Sequence, residues 1–276
     1  MAAKALSATN LINDANLISY YPLDTDSNDT KGNCNLTDTS VVYQSSPAMF
    51  TKSANYNGSS SKSHGTRTTG LSGSFTVMGW MFITDKTQEN AFFESGVASY
   101  TNYWAYGNQG IPGGNARLQF NLYDGTNNPN ISGNTNLFNS TWHQFAFVRN
   151  TGTGKIQLYL DGSTDATDVT DTTSSVPTYS DFDIGARNKG SAAWFKGNLD
   201  DISVFSRALS SSEISGYYNG TLPGPGSSSS MLTFFSEKYK EGFKKLKKKA
   251  GLYIPDSDLF IPKPMILVQR INFALK

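Results

Sequence analysis

The sequence predicts an all-β fold, a two-sheet antiparallel jelly roll, with an amphipathic helix and an extended tail at its C-terminal end. Short apolar or alternating segments recur from Leu17 to Phe205 with turn residues between them, as in β-sandwiches. Ser, Thr, Asn and Gly are frequent and charged residues are only 16%, a composition that disfavours helices. Aromatic residues are 13% of the 276 residues, enough to fill a large core.

The strand signals of the first half differ in the faces that they bury. Leu17–Leu23 is predicted to be the opening strand, and Pro22 restricts it to a sheet edge or a bulge. Phe75–Ile83 is largely apolar at both alternating sets of positions, so we expect a central strand covered on both faces. Leu118–Tyr123 alternates apolar and polar residues, which predicts one buried and one solvated face.

A hairpin is predicted in the second half of the domain. Trp142–Val148 and Ile156–Leu160 have strand patterns, and the glycine-bearing loop Asn150–Gly154 lies between them. Asp161–Gly162 then signals a tight turn at the end of the second strand.

One short helix closes the domain. Ser210 and Glu213 form a capping box that begins it, and Asn219–Gly220 ends it after little more than two turns. A stretch rich in Pro, Gly and Ser follows and predicts a linker. The predicted organisation is an N-terminal arm (1–14), a jelly-roll domain (15–221), the linker (222–230) and a tail (231–276).

The tail differs from the domain in charge. Residues 1–226 contain 13 Lys and Arg against 18 Asp and Glu, whereas residues 227–276 contain 10 against 4. Apolar residues of the tail recur at steps of three and four, and lysines occupy most of the positions between them. This pattern predicts a basic amphipathic helix. The apolar stripe of this helix comprises Leu232, Phe235, Tyr239, Phe243 and Leu246.

The basic tail helix has three interpretations: docking on a protein partner, lying on a membrane surface, or contacting nucleic acid. The stripe could dock on a protein assembly partner, which the unpaired strand pattern at Met265–Leu275 favours, because an unpaired strand can add to another chain's sheet. It could instead lie on a membrane surface. Met231 after a serine run is also typical of an engineered junction, in which case the tail is unrelated to the domain. We expect no nucleic-acid partner.

Targeting signals are not evident in this sequence. Met1–Asn10 contains no apolar run long enough for a secretory signal, and no stretch is long and apolar enough for a membrane-spanning helix. Cys34 is the single cysteine, so no intrachain disulfide forms. We expect the chain on an extracellular or virion surface, reached after removal of a signal or without secretion.

Six segments in order resemble a known family. Gly197–Ile214 reads GNLDDISVFSRALSSSEI, similar to the closing motif of laminin-G-like, concanavalin A-type jelly rolls. The upstream segments that resemble the same family are Tyr21–Asp24, Tyr56–Ser61, Phe75–Trp80, Trp142–Arg149 and Leu158–Gly162. Asn57 stands where the family's turn usually has Asp. The resemblance covers about residues 15–220.

The resemblance implies two antiparallel sheets, one often concave, and a domain that binds glycans or proteins. We therefore expect a non-catalytic, lectin-like module that recognises glycan on a surface and takes part in adhesion, displayed on a larger assembly such as a virion through its tail. The alternative is a structural or decoration protein that contacts only other proteins. A glycan-degrading enzyme is the third hypothesis.

The glutamates argue against catalysis. Glycoside hydrolases on this fold use an E-x-D-x-(x)-E strand, which places two carboxylates across a sugar bond. Residues 1–226 contain only Glu89, Glu94 and Glu213, none with a partner at that spacing. His143 follows Trp142 in the family's pattern, and we interpret it as a hydrogen-bonded strand residue. We therefore predict that the chain is not an enzyme.

Calcium is the cofactor that the resemblance implies. Asp24, Asn57, Asp200 and Asp201 lie at motif positions near metal sites of related domains, and Ca²⁺ prefers such oxygen ligands. Strand alternation predicts that Asp200 and Asp201 point to opposite faces, so at most one would reach a shared site. The alternative is that these side chains only cap turns.

Exposed aromatic residues beside amides are typical of sugar-binding surfaces. The segment from Tyr100 to Gln109 contains such a mixture outside any clean strand pattern, so we expect a functional loop there. The predicted ligand-binding residues are Tyr103, Trp104, Tyr106, Asn108 and, further along the chain, Trp194.

Overall fold

The computed structural model describes residues 10–67, 71–85, 90–97, 101–107, 117–137, 140–174, 181–187 and 193–221. The chain divides after Leu222 into two units, and all described residues belong to the first. Asn108 and the tail stripe (Leu232, Phe235, Tyr239, Phe243 and Leu246) lie outside the described residues, so they stay predictions. None of the helices in the described ranges has the length and apolar content that crossing a membrane requires.

The described residues form sixteen strands after a single 3-10 turn at Asn10–Asn13. The first eight strands are β1 (Leu17–Tyr21), β2 (Thr37–Thr39), β3 (Val42–Gln44), β4 (Ser53–Asn57), β5 (Lys62–Thr66), β6 (Phe75–Ile83), β7 (Asn90–Val97) and β8 (Thr101–Gly107). The next eight are β9 (Leu118–Tyr123), β10 (Asn130–Ser132), β11 (His143–Asn150), β12 (Lys155–Leu160), β13 (Ser163–Thr164), β14 (Val169–Thr170), β15 (Asp181–Ile184) and β16 (Lys196–Phe205). One helix, α1 (Ser211–Asn219), follows.

Sheet A is antiparallel and places its strands in the order β13-β12-β11-β6-β16-β4-β3, with β1 on β16 and β14 on β12. The hairpin of β11 and β12 and the tight turn that follows it are as predicted. β6 lies between β11 and β16 and is buried along nearly its whole length, which confirms the central strand predicted from its two apolar faces. Among the described strands β1 pairs with β16 alone, as expected for an edge strand that ends before Pro22.

Sheet B is antiparallel with the order β10-β9-β8-β7-β15-β5-β2. It corrects one expectation, because the segment predicted as a functional loop is largely strand β8, paired with β7 on one side and β9 on the other. Its pattern of Asn, Tyr, Trp and Gly hid the strand, since it shows no apolar alternation. Pairing with β7 and β9 makes this segment a strand, and the sequence of the segment alone does not indicate that pairing.

The core lies between the two sheets and is rich in phenylalanine. Phe92 stacks on Phe145 with 5.1 Å between ring centroids, and Phe120 contacts Phe147 at 5.3 Å. Each of these rings is fully buried. Burying a side chain of this size contributes about 1.5–3 kcal/mol, so this cluster holds the sheets face to face.

A second apolar cluster covers the outward face of sheet A. Helix α1 packs there through Ile214 and Tyr217 against Trp80 of β6, and the Trp80 Nε1–H donates to Tyr217 Oη at 2.9 Å. The predicted capping box is present, with Ser210 and Glu213 bonding each other's backbone N–H. The outward face of sheet A is therefore largely occupied by the domain's own chain.

Candidate functional site

A row of residues that are in register crosses sheet B on the side away from the core. Phe120 and Phe182 belong to the core, so their strand neighbours Asn121 and Asp183 face outward. Directly paired residues share a face in an antiparallel sheet. The row comprises, in spatial order, Thr37, His64, Asp183, Glu94, Trp104, Asn121 and Asn130. We call this outward side of sheet B the polar face.

The centre of the polar face holds two buried carboxylates. Asp183 is 2% exposed and Glu94 is 4% exposed. His64 Nδ1 lies 2.8 Å from Asp183 Oδ1, and Arg187 Nε lies 4.0 Å from Glu94 Oε1. Burial raises the pKa of Asp183, and the neighbouring His64 opposes that rise. Sequence spacing missed this carboxylate pair because its members are neighbours only through the pairing of β7 with β15.

Amides and hydroxyls lie at the β9–β10 end of the polar face. Asn130 is exposed and its Nδ2 donates to Asn121 Oδ1. Gln119 Nε2 donates to Ser132 Oγ at 3.0 Å, while Gln119 Oε1 is buried without a hydrogen-bond partner in the described part of the chain. Such groups, which both donate and accept, can recognise sugar hydroxyls.

Most of the predicted ligand-binding residues come together at sheet B. Tyr103, Trp104 and Tyr106 lie on β8. Trp104 takes the register position between Glu94 and Asn121, whereas Tyr103 pairs with the core residue Leu122 and so belongs to the opposite side of the sheet. Trp194 is half-buried, and the residue before it accepts a hydrogen bond from the N–H of Ala91, the register partner of Tyr106. The fold therefore brings Trp194 to the same end of sheet B as Tyr106.

A pocket of about 370 Å³ opens on the outward side of sheet A. Its polar lining residues are Asp24, Thr30, Thr51, Asp200 and Asp201, and its other lining residues are Ile12, Tyr20, Pro22 and Phe50. We call it the acid pocket. Asp200 and Asp201 both line it, so the expectation that they point to opposite faces was wrong. The register of β16 with β6 shifts after Asp200, and Asp201 has φ +54°, so a bulge turns both side chains to one side.

Asp200 is 1% exposed, as is Asp201. Its Oδ2 accepts from the backbone N–H of Met49 at 3.1 Å and of Phe50 at 3.3 Å. Burial first, and the nearby charge of Asp201 second, raise the pKa of Asp200 to about 8. Asp24 is half-buried, and its Oδ1 accepts from the N–H of Lys52 at 2.9 Å.

Asp201 and Asn57 are engaged in other contacts. The two carboxylate oxygens of Asp201 accept hydrogen bonds from the hydroxyls of Tyr20 and Tyr217. Asn57 does not line the acid pocket, because its Oδ1 accepts from the backbone N–H groups of Ser59, Ser60 and Ser61 in the turn after β4. Of the four residues predicted as calcium ligands, only Asp24 and Asp200 offer the pocket a carboxylate not held by side-chain donors.

The donor set does not form a complete calcium cage. Ca²⁺ takes six to eight oxygen ligands, generally from several carboxylates. No group of three or more His, Cys, Asp or Glu in the described ranges is arranged to hold a metal ion. Calcium binding by Asp24 and Asp200 would need backbone carbonyls and water, and it stays a prediction.

His143 is held by hydrogen bonds at both ring nitrogens. His143 Nδ1 lies 2.7 Å from Asp161 Oδ2, and Nε2 lies 3.1 Å from Thr141 Oγ1. Asp161 Oδ1 also accepts from the N–H of Gln144 at 2.9 Å. These contacts hold the turn after β12 against the start of β11, in agreement with the interpretation of His143 as a hydrogen-bonded strand residue.

Comparisons with known proteins agree with this architecture. A model of the concanavalin A-like lectin/glucanases superfamily matches residues 54–215. No curated protein matches the chain in sequence.

Solved structures share the fold at low sequence identity. Domain 4 of AbnA, a GH43 extracellular arabinanase from Geobacillus stearothermophilus, in complex with arabinotriose, is 20% identical with a TM-score of 0.57 over 73% of this chain and 98% of that domain. The receptor-binding domain of botulinum neurotoxin C/D mosaic serotype is 14% identical, with a TM-score of 0.60 over 74% of this chain and 51% of that chain. The serotype D ligand-binding domain in complex with N-acetylneuraminic acid is 15% identical, with a TM-score of 0.58 over 74% and 51%. This chain thus spans about half of the toxin domains.

Proposed function

Because this chain belongs to the concanavalin A-like lectin/glucanase superfamily, we propose that its jelly roll is a non-catalytic module that binds glycan on the polar face of sheet B. The observation that carries this proposal is the row of residues in register across that sheet, in which β8 places Trp104 between Glu94 and Asn121. The outward face of sheet A is covered by α1 instead. Aromatic rings beside amides can stack on sugar rings and bond their hydroxyls.

Within the row, exposed and buried members have different roles. Thr37 and Asn130 are exposed and His64 is half-buried, so these side chains are available to a ligand. Glu94 and Asp183 are buried, and they position the basic side chains beside them. Two solved structures with related folds were determined with arabinotriose and with N-acetylneuraminic acid, which supports a sugar as the ligand class here.

The burial of the carboxylate pair also supports a module without catalysis. A glycosidase needs two carboxyl groups that flank the scissile bond within reach of the sugar and of water. Glu94 and Asp183 are at most 4% exposed, which leaves little surface for such a bond to approach. We expect no hydrolysis of polysaccharide by the full chain in a reducing-sugar assay. Turnover that Glu94→Gln abolishes would assign the chain to the glycan-degrading class instead.

Glycan binding is tested with an array probed in calcium and in chelator. We expect Trp104→Ala and Asn130→Ala to weaken binding of the best glycan by roughly tenfold or more, as for the loss of one stacking or hydrogen-bonding anchor. Thr153→Ala, in the exposed β11–β12 turn, is the control and is expected to bind like the wild type. If no glycan binds in either condition, the alternative of a structural or decoration protein replaces this proposal.

We also propose that the tail displays the module on a larger assembly, with residues 231–276 as the docking segment. The support is the charge difference between the two parts of the chain and the apolar stripe among the tail lysines. A virion or another extracellular surface is the setting in which a glycan-binding module with a docking tail would act in adhesion. A membrane surface is the competing partner for the stripe.

A further inference from the structure

The acid pocket on sheet A has no role in the proposed glycan site, yet it is built like a ligand site. Its volume of about 370 Å³ lies within the range of small-molecule sites. Its lining combines two aromatic rings, Tyr20 and Phe50, with the carboxylates of Asp24 and Asp200. This combination suits a small organic cation better than a metal ion.

We propose that the acid pocket binds a primary ammonium group. Asp200 Oδ1 accepts no hydrogen bond from any described residue, although Asp200 is 1% exposed and lines the cavity. Asp24 Oδ2 is likewise without a donor in the described ranges. Both oxygens belong to residues that line the cavity, so they can accept hydrogen bonds from a ligand that brings N–H groups.

The rings and the acids select between kinds of cation. Tyr20 and Phe50 line the cavity, and aromatic rings attract cations that lie over their faces. A primary ammonium also donates three hydrogen bonds, which Asp24 can accept and which Asp200 can accept once it has released its own proton to water. A quaternary ammonium would leave both acceptors without a donor. Charge-assisted N–H···O bonds are about twice as strong as neutral ones, so the primary ammonium is favoured.

Calcium is the competing occupant, and the lining fits it less well. Asp201 already receives two tyrosine hydroxyls, which leaves two carboxylates for an ion that takes six to eight oxygens. Apolar lining residues such as Ile12 and Pro22 add no oxygen side chains to the cavity. These residues suit the carbon atoms next to an ammonium group.

Binding is tested on the full chain by NMR titration with n-butylammonium, tetramethylammonium and calcium chloride in parallel. We expect saturable shifts with n-butylammonium, at least about tenfold weaker in Asp200→Asn and in Asp24→Asn, the factor for one charge-assisted hydrogen bond. Asp26→Asn, an exposed acid near Asp24 that does not line the pocket, is the matched control and is expected to bind like the wild type. Tetramethylammonium is expected to bind at least about tenfold more weakly than n-butylammonium.

Two further ligands identify the source of the ammonium group. Nα-acetyl-lysinamide represents a lysine side chain, and glucosamine represents an amino sugar, with N-acetylglucosamine as its neutral control. Tighter binding of either charged ligand than of n-butylammonium supports the proposal and names the source. Absence of saturable n-butylammonium binding overturns it, and so does calcium binding that both Asp variants abolish. Because Asp200 lies on sheet A, these variants are expected to leave glycan binding at sheet B unchanged.

Discussion

Asp200 and Asp201 are adjacent in the chain and line one pocket, but their carboxylates accept hydrogen bonds from different kinds of donor. Asp201 receives a tyrosine hydroxyl on each oxygen, whereas Asp200 is held by two backbone N–H groups on one oxygen. The bulge with its left-handed residue at Asp201 makes this arrangement possible. The left-handed backbone conformation of Asp201, with φ +54°, costs roughly 1 kcal/mol or more of folding free energy. The surrounding structure maintains it at the point where it brings two acids together.

The raised pKa of Asp200 predicts a pH-dependent stability. An unfolded Asp ionises near pH 4, whereas folded Asp200 stays protonated up to about pH 8. Folding therefore takes up a proton between these values, and this contribution to the free energy of unfolding falls as pH rises, by up to about 1.4 kcal/mol per pH unit. We expect Asp200→Asn to remove that slope in urea unfolding measured from pH 5 to 8.

Two comparisons make that prediction specific. Asp26→Asn, at an exposed acid, is expected to keep the wild-type slope. If the Asp200→Asn curve runs parallel to the wild type across this range, Asp200 is ionised in the folded protein. Addition of n-butylammonium at pH 7 is expected to displace the proton of Asp200 and to stabilise the wild type but not the Asp200→Asn variant.

At the scale of elements, prediction from sequence succeeded where local chemistry decides. The opening strand, central β6, the β11–β12 hairpin and the capped helix α1 follow from periodicity and turn residues that each segment carries itself. Strand β8 was not predicted, because it forms through pairing with β7 and β9 and its own residues lack a strand pattern. The opposition of Asp200 and Asp201 was wrong for the same kind of reason, since a bulge depends on pairing between distant strands.

Helix α1 gives a prediction about a single cap. Ser210 Oγ accepts from the backbone N–H of Glu213, so Ser210→Ala leaves a helix N–H without that acceptor. We expect a loss of about 1 kcal/mol in the free energy of unfolding, measured with urea. Ser211→Ala, one residue further at an exposed position, is the control and is expected to change stability by less than about 0.5 kcal/mol. Equal losses in both variants would mean that the cap does not support the helix.

For the whole molecule, motif order predicted the superfamily, while the ligand faces depend on tertiary pairing. Five of the six motifs lie within residues 54–215, which the superfamily model matches. The polar face unites residues from seven strands, and Glu94 meets Asp183 only through the sheet. Trp194 lies near β7 because the carbonyl of the preceding residue, Ala193, accepts a hydrogen bond from the N–H of Ala91. No spacing in the sequence predicts this contact.

Deletion of residues 231–276 tests the division of labour between domain and tail. The core and both sheets lie within the described residues, so we expect the shortened chain to keep the thermal unfolding transition of the domain and its glycan binding. We expect it to lose its association with the larger assembly, measured by co-sedimentation with that assembly or with lipid vesicles. A shortened chain that loses its unfolding transition would place the domain boundary after residue 231.

The two tyrosines that share Asp201 come from opposite ends of the domain, Tyr20 from β1 and Tyr217 from α1. The entry and exit of the folded chain are therefore neighbours, joined also by the contact of Arg207 with Asp14. A domain with adjacent ends can be spliced into a surface loop of another protein without stretching its host. It also tolerates relocation of its termini to an exposed turn, so a circular permutant opened at Gly152 is a practical scaffold for presenting the polar face in a chosen orientation.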